Sequence, residues 1–278
     1  MLNKFRKNYA ILFGILMIVL FKISQAIGAL PLSLIFKSNL ASKDSFASVF
    51  LILGFPDLFV ILVMLFILWK TDHLYLLKKK GKGFIRSLSL CAYPIATSIL
   101  YLGTGLLAVL ALGGRSVTVL TIVMLLLCML VIAIAEELTC RAIVAETLLE
   151  HFGSERAGII KACVISGILF GLMHSLNPGN PTAVFVNCIT AGVGGITYAI
   201  IYFRSGNLPL LIFIHALNDI AVFGTLLLAN TPSSASVNPN TNFFGLFLIV
   251  PELLVILFLM RKKKIGEVQE QWKEELSK

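Results

Sequence analysis

The chain has 278 residues, of which 58% are hydrophobic and only 13% are charged, and its mean hydropathy is +0.94. These values exclude an ordinary soluble globular domain, in which charged residues make up about a quarter of the sequence. The net charge of +9 would by itself suggest an acidic partner such as nucleic acid. The positions of the cations give a different explanation.

Long apolar runs divide the chain, and a run of about 18 or more residues predicts a transmembrane helix. Continuous runs, rather than alternating polar and apolar residues, favour a helix bundle over a β-barrel. We therefore predict an all-α polytopic membrane protein with about eight transmembrane helices. The predicted spans are 9–30, 47–69, 88–112, 117–146, 162–176, 183–203, 208–229 and 243–260.

Lysine and arginine are distributed unevenly between the two sides of this topology. Eighteen of the 23 basic residues fall in segments that are cytoplasmic if the N-terminus is cytoplasmic, and two lie within spans. The opposite loops hold only Lys37, Lys43 and Arg115. Because cytoplasmic loops are enriched in basic residues, this pattern predicts that both termini are cytoplasmic. The positive charge then follows from topology, so we expect the lipid bilayer as a partner and no nucleic acid.

Three charged residues, Glu136, Glu137 and Arg141, lie towards the end of the fourth predicted span. Charged groups inside a bilayer are costly, which makes each of them a candidate functional residue. Glu137 and Arg141 are four residues apart and share a helical face, whereas Glu136 points about 100° away. A structural charge cluster that ties helices together would account for Glu137 and Arg141, but it would leave Glu136 unexplained.

Two histidines in later spans lie at a depth similar to that of Glu136. Measured from a polar cytoplasmic hairpin at 147–163, Glu136 and His174 each lie roughly 15 Å into the helices that flank it. His215 lies roughly 10 Å beyond the start of the seventh span. The sequence therefore predicts that one carboxylate and two imidazoles meet at the cytoplasmic side of the bundle.

Three short motifs occur in order on these spans: "EELTCR" at 136–141, "FGLMH" at 170–174 and "HALND" at 215–219. They match Glu-Glu-x-x-x-Arg, Phe-x-x-x-His and His-x-x-x-Asn/Asp. The chain thus resembles the CPBP family of CAAX-prenyl-protease and bacteriocin-processing intramembrane proteases, also called the Abi family. The resemblance covers a catalytic core at 117–229. The predicted spans divide the rest into three N-terminal transmembrane helices with a basic cytoplasmic loop at 1–116 and a last helix with a charged cytoplasmic tail at 230–278.

The resemblance implies a role for each motif residue. Glu136 would be the general base that activates water, and His174 would help to position that water. His215 would stabilise the oxyanion together with Asp219 or Asn218, an alternative that the sequence leaves open. Arg141 would orient the glutamates, with Glu137 as its partner.

The family resemblance also raises the question of a metal ion. Members are commonly called metalloproteases, and Glu136, His174 and His215 could form an open zinc site. The soluble zinc-protease signature His-Glu-x-x-His is absent from the sequence. We expect a metal-free glutamate mechanism that requires no cofactor, with zinc as the alternative.

Two functional classes follow. The first is an intramembrane endopeptidase that acts on a membrane-associated or lipid-modified protein or peptide near the cytoplasmic face. The second is a non-catalytic immunity or scaffold protein that retains the fold. The short loops and compact length suggest a bacterial cytoplasmic membrane.

Three further features receive structural interpretations from the sequence alone. Lys22 is expected to pair within the bundle or to extend towards the membrane surface. Asp57, next to Pro56, is expected to mark a helix break. The tail from residue 261 is expected to form a short solvated helix at the membrane surface.

Overall fold

A computed structural model of the chain describes residues 2–35, 46–114, 116–176, 181–228 and 244–276. Within these ranges all extended regular structure is helical and there is no β-sheet. The α-helices are α1 (Leu2–Asn8), α2 (Ala10–Ile35), α3 (Phe46–Lys70), α4 (Phe84–Ser87), α5 (Ala92–Leu112), α6 (Val119–Glu137), α7 (Glu146–Phe152), α8 (Arg156–Ser175), α9 (Pro181–Ser205), α10 (Leu208–Leu228), α11 (Phe244–Leu259) and α12 (Lys262–Leu276).

Seven helical segments in the described residues are long and apolar enough to cross a membrane. This confirms an all-α polytopic membrane protein. The predicted eighth span corresponds to α11, which has 16 residues. Its rise of roughly 24 Å is less than the ~30 Å of a hydrocarbon core. Residues 229–243, which precede α11, lie outside the described residues.

One end of the bundle collects the charged loops and both terminal helices. We call it the charged end; it consists of residues 2–8, 71–83, 150–156, 204–207 and 261–272. Asn3 contacts Asp72, Lys82 contacts Glu267, and Gln269 donates to the Ser154 carbonyl at 3.0 Å. The two terminal segments therefore lie at the same end. The assignment of this end to the cytoplasm stays a prediction.

Helices α8 and α9 approach each other closely along a face of glycines. A Cβ atom added at Gly171 would lie 2.5 Å from the Cys188 carbonyl oxygen, and one added at Gly167 would lie 2.7 Å from the Gly192 carbonyl oxygen. Such small residues let helix backbones pack together in membranes. This packing fixes the end of α8, where His174 is located.

Helix α12 packs against the bundle, in contrast to the solvated helix predicted for the tail. Ile265, Val268 and Trp272 are buried along one face of α12. The Trp272 indole donates a hydrogen bond of 2.7 Å to the Phe203 carbonyl, and Lys79 lies 3.4 Å from the centre of the indole ring. The prediction of a solvated helix was wrong because the apolar residues of this short and highly charged segment are few, although their helical spacing places them on one face.

Candidate active site

The first motif lies where α6 changes into a π-helix, Leu138–Ala145. All eight residues of this π-helix are buried. The Thr139 hydroxyl donates to the Ala135 carbonyl at 2.8 Å, and the Ser166 hydroxyl of α8 donates to the Cys140 carbonyl at 3.3 Å. π-Helical turns are rare and often occur at functional sites. The predicted continuous α-helical span at 117–146 is therefore interrupted beside the glutamates.

Glu137 connects an arginine and a histidine in the interior of the bundle. Its Oε2 atom lies 3.2 Å from Arg141 Nε, and its Oε1 atom lies 2.7 Å from His215 Nδ1. Glu137 and Arg141 are almost completely buried, with side-chain exposures of 0% and 1%. The Nδ1–H group of His215 donates to Glu137, which holds the imidazole ring in one orientation and leaves Nε2 directed elsewhere.

Glu136 faces the two imidazoles. Its Oε1 atom lies 3.9 Å from His174 Nε2, and its Oε2 atom lies 3.6 Å from His215 Nε2. His174 Nδ1 lies 3.0 Å from the Phe170 carbonyl oxygen, so its Nδ1–H donates there and Nε2 carries the lone pair. The Glu136 side chain is 11% exposed, in contrast to the fully buried Glu137. Of the two carboxylates, only Glu136 can meet a water molecule without rearrangement.

Asn218 and Asp219, at the end of the last motif, have different surroundings. Asp219 Oδ2 lies 3.6 Å from His215 Nε2, on the side of the site. Asn218 instead donates to the hydroxyls of Thr97 and Ser98 in α5, at 3.1 and 3.2 Å. The structure therefore brings Asp219 to the site and uses Asn218 in helix packing.

Two aromatic rings complete the walls of the site. The Arg141 guanidinium lies 4.6 Å from the ring centre of Phe170 and 5.4 Å from that of Tyr198. The Tyr198 ring is also 5.4 Å from the His215 ring. Phe170 belongs to a motif, but sequence reasoning did not single out Tyr198. The sequence feature that could have identified Tyr198 is its position in α9, the glycine-containing helix that packs on α8.

The possible metal ligands in the site can be compared with the coordination that zinc requires. Both Nε2 atoms face Glu136 while both Nδ1 atoms bond to oxygen acceptors, which is the usual state of zinc-bound histidines. However, no group of three or more His, Cys, Asp or Glu side chains in the described residues is arranged so that it could hold a metal ion. The donor types suit zinc, but their spacing does not fit it.

The site thus combines two carboxylates, two imidazoles and an arginine in the interior of a helical membrane protein. Residues 118–221 match the family model described as type II CAAX prenyl endopeptidase Rce1-like. This match confirms the resemblance of the segment that contains the three motifs to the CPBP family of CAAX-type intramembrane proteases. No curated protein and no solved structure matches the chain.

The match indicates the general activity. It supports a CAAX-type intramembrane endopeptidase in general terms, with a protein or peptide substrate and a membrane environment. The matched segment contains all seven residues that the motifs single out: Glu136, Glu137, Arg141, His174, His215, Asn218 and Asp219.

Proposed function

We propose that the chain hydrolyses a peptide bond in a membrane-associated or lipid-modified protein or peptide, with Glu136 as the base that activates water. One observation carries this proposal. Glu136 is the partly exposed carboxylate that faces two imidazole Nε2 atoms, at 3.6 and 3.9 Å. These distances are longer than direct hydrogen bonds, so the Glu136 carboxylate retains hydrogen-bonding capacity for water.

In the first step Glu136 accepts a proton from water while the oxygen attacks the carbonyl carbon of the substrate. The His174 Nε2 lone pair accepts the second hydrogen of the water and orients it. A protonated His215 donates from Nε2 to the carbonyl oxygen, on which negative charge develops. Glu137, bonded to His215 Nδ1, compensates the charge of that imidazolium.

In the second step the tetrahedral intermediate collapses. The protonated Glu136 gives its proton to the amide nitrogen, the C–N bond breaks, and the products are an amine and a carboxylic acid that keeps the second hydrogen of the water. Arg141 holds Glu137 in place throughout, through the contact of 3.2 Å. Asp219 contributes to the orientation of His215 from the opposite side, at 3.6 Å. No metal ion is used in this sequence of steps.

The site lies towards the charged end, as the positions of the neighbouring loops suggest. The π-helix continues into α7, which reaches the charged end at Phe152, and α10 begins just after residues 204–207 of that end. We therefore infer cleavage near the membrane surface at the charged end. Together with the positive charge of that end, this supports a cytoplasmic site, and the short loops favour a bacterial cytoplasmic membrane.

The proposal is tested with the Glu136→Gln variant, which retains size and hydrogen bonding but cannot accept a proton. Membrane-anchored peptides are compared by mass spectrometry between cells that express the natural chain and cells that express the variant. We expect peptides that are cleaved only by the natural chain, and a loss of activity on the order of 100-fold or more in the variant.

Glu252→Gln is the matched control. Glu252 is a half-buried carboxylate in α11, outside the candidate site, and its Oε1 atom accepts a hydrogen bond of 2.8 Å from the Thr197 hydroxyl. We expect this control to retain cleavage. Identical peptide patterns for Glu136→Gln and the natural chain, with normal membrane insertion, would instead favour the non-catalytic scaffold or immunity protein.

A further inference from the structure

The charge of Glu136 lacks an obvious compensating group within its own motif. Arg141 is the cation of that motif, and it contacts Glu137 at 3.2 Å. The Oε2 atom of Glu136 is buried and has no hydrogen-bond partner among the described residues. A buried carboxylate is strongly disfavoured unless a positive charge lies near it. Glu137 already compensates the charge of the His215 imidazolium in the proposed reaction, so a further cation from another helix would serve Glu136.

Helix α2 brings Lys22 to the depth of Glu136. A Cβ atom added at Gly14 would lie 2.9 Å from Leu169 of α8 and 3.4 Å from Val144 of the π-helix, so these segments touch there. Because α2 leads away from the charged end and α6 leads towards it, Lys22 and Glu136 each lie eight residues from this contact in the same direction along the bundle, which is roughly 12 Å along α2. The two charges interact electrostatically in the structure.

A short polar chain extends from Lys22 to α3. The Lys22 ammonium donates to Gln25 Oε1 at 3.3 Å, and Gln25 Nε2 donates to Asp57 Oδ1 at 3.0 Å. Asp57 is buried, with 1% exposure, within the continuous helix α3 rather than at the predicted break. Lys22 interacts electrostatically with Asp57 as well as with Glu136. One ammonium group thus interacts electrostatically with both a structural carboxylate and the candidate catalytic base.

We propose that Lys22 is a positioning residue for Glu136: its ammonium holds the charged carboxylate of Glu136 in line with the two imidazoles. The N-terminal helices, which lie outside the matched segment 118–221, would then supply part of the active site. This inference rests on the proposed function, since it assigns Lys22 a role in the same reaction.

The alternative is that Lys22 serves only as the partner of Asp57 in packing α2 against α3. The two roles are separated by the Lys22→Met/Asp57→Asn double variant, which removes the cation together with the structural carboxylate. We expect this variant to regain the membrane insertion and thermal stability that Lys22→Met alone loses. We also expect its kcat to stay on the order of 10- to 100-fold below that of the natural chain, with KM little changed, because Glu136 is misplaced.

Two single variants complete the test. Lys22→Arg retains the positive charge and is expected to recover most of the kcat, while Asp57→Asn retains Lys22 and is expected to react at nearly the natural rate. Natural kcat in the stable double variant would overturn the inference, because Lys22 would then matter only to Asp57. Absence of Glu136-dependent cleavage by the natural chain would overturn the proposed function itself, so the two failures are distinguishable.

Discussion

Glu136 and Glu137 are neighbours in the sequence, but the fold gives them different partners. Glu137 is enclosed by Arg141 and the Nδ1 atom of His215, and it has no exposed side-chain surface. Glu136 is partly exposed and faces the Nε2 atoms of both histidines. This difference supports the proposed roles, in which Glu137 orients a histidine and Glu136 reacts with water. A fixed histidine beside a reactive group is a common arrangement in hydrolases.

The spacing of these side chains leads to a prediction about metal content. If Glu136 activates water directly, purified protein at full activity should contain far less than one zinc per chain. Dialysis against a chelator should then leave kcat unchanged. Metal content is measured by mass spectrometry of the elements in the same samples whose activity is assayed.

The Glu136→Gln variant is the control for this measurement, because it should have the same low zinc content as the natural chain. Zinc at one equivalent per chain that rises and falls with activity would contradict the prediction. In that case the donor atoms of Glu136, His174 and His215 would have to move closer together than they are in this structure.

At the level of single helices, the sequence predicts some features and misses others for identifiable reasons. The spacing of Glu137 and Arg141 predicts their contact because it depends on one helix alone. The contact between Glu137 and His215 joins residues that are 78 positions apart, so it depends on packing that no local pattern records. The π-helix at Leu138–Ala145 is missed because its apolar residues are compatible with an ordinary α-helix.

Helices α5 and α10 are joined by a small polar cluster around Asn218, and this cluster is expected to stabilise the fold rather than to take part in cleavage. The Thr97 and Ser98 hydroxyls each donate to the Pro94 carbonyl at 2.9 Å, and each accepts from Asn218. Because Asn218 binds α5 rather than the site, Asn218→Ala should lower the free energy of unfolding by about 1 kcal/mol and leave kcat nearly unchanged. Thermal unfolding in detergent and a cleavage assay measure the two effects.

Asp219→Ala is the comparison for this variant, because Asp219 lies on the next position of α10 and contacts His215. It should lower kcat more than it lowers stability. A loss of kcat in Asn218→Ala equal to that in Asp219→Ala would show that Asn218 serves the oxyanion, as the sequence alternative allowed.

Across the whole molecule, segments outside the family match are attached to the helices of the matched segment at the charged end. Arg6 of α1 contacts Glu150 of α7, and it also donates to Thr147 at 3.1 Å. Glu267 of α12 contacts Arg204 of α9 at 2.9 Å and Lys82 at 2.7 Å. The hydropathy of the sequence anticipates the bundle, but these attachments depend on charges that meet only after the helices assemble.

The attachment of α12 is expected to depend on pH through Glu267. Partial burial alone would raise the pKa of Glu267, but hydrogen bonds from Lys264, Lys82 and Arg204 outweigh it and lower the pKa from 4.5 to about 2. A carboxyl group whose pKa is lower in the docked state stabilises that state at pH values above its ordinary pKa. This stabilisation should therefore be complete above about pH 4.5 and should disappear between about pH 4.5 and pH 2.

Trp272 reports this change, because its indole is fully buried against Phe203 when α12 is docked. In a Trp69→Phe background, which removes the other tryptophan of the chain, the fluorescence of Trp272 should shift towards that of a solvated indole as the pH falls through this range. Helical circular dichroism serves as the control, since the bundle itself should persist.

Glu267→Gln carries no titrating group at this position, so the docking of α12 should be weaker at neutral pH in this variant and should lack the acidic transition. The same acidic transition in Glu267→Gln would assign the pH dependence to a different group and would contradict the role of Glu267 in holding α12.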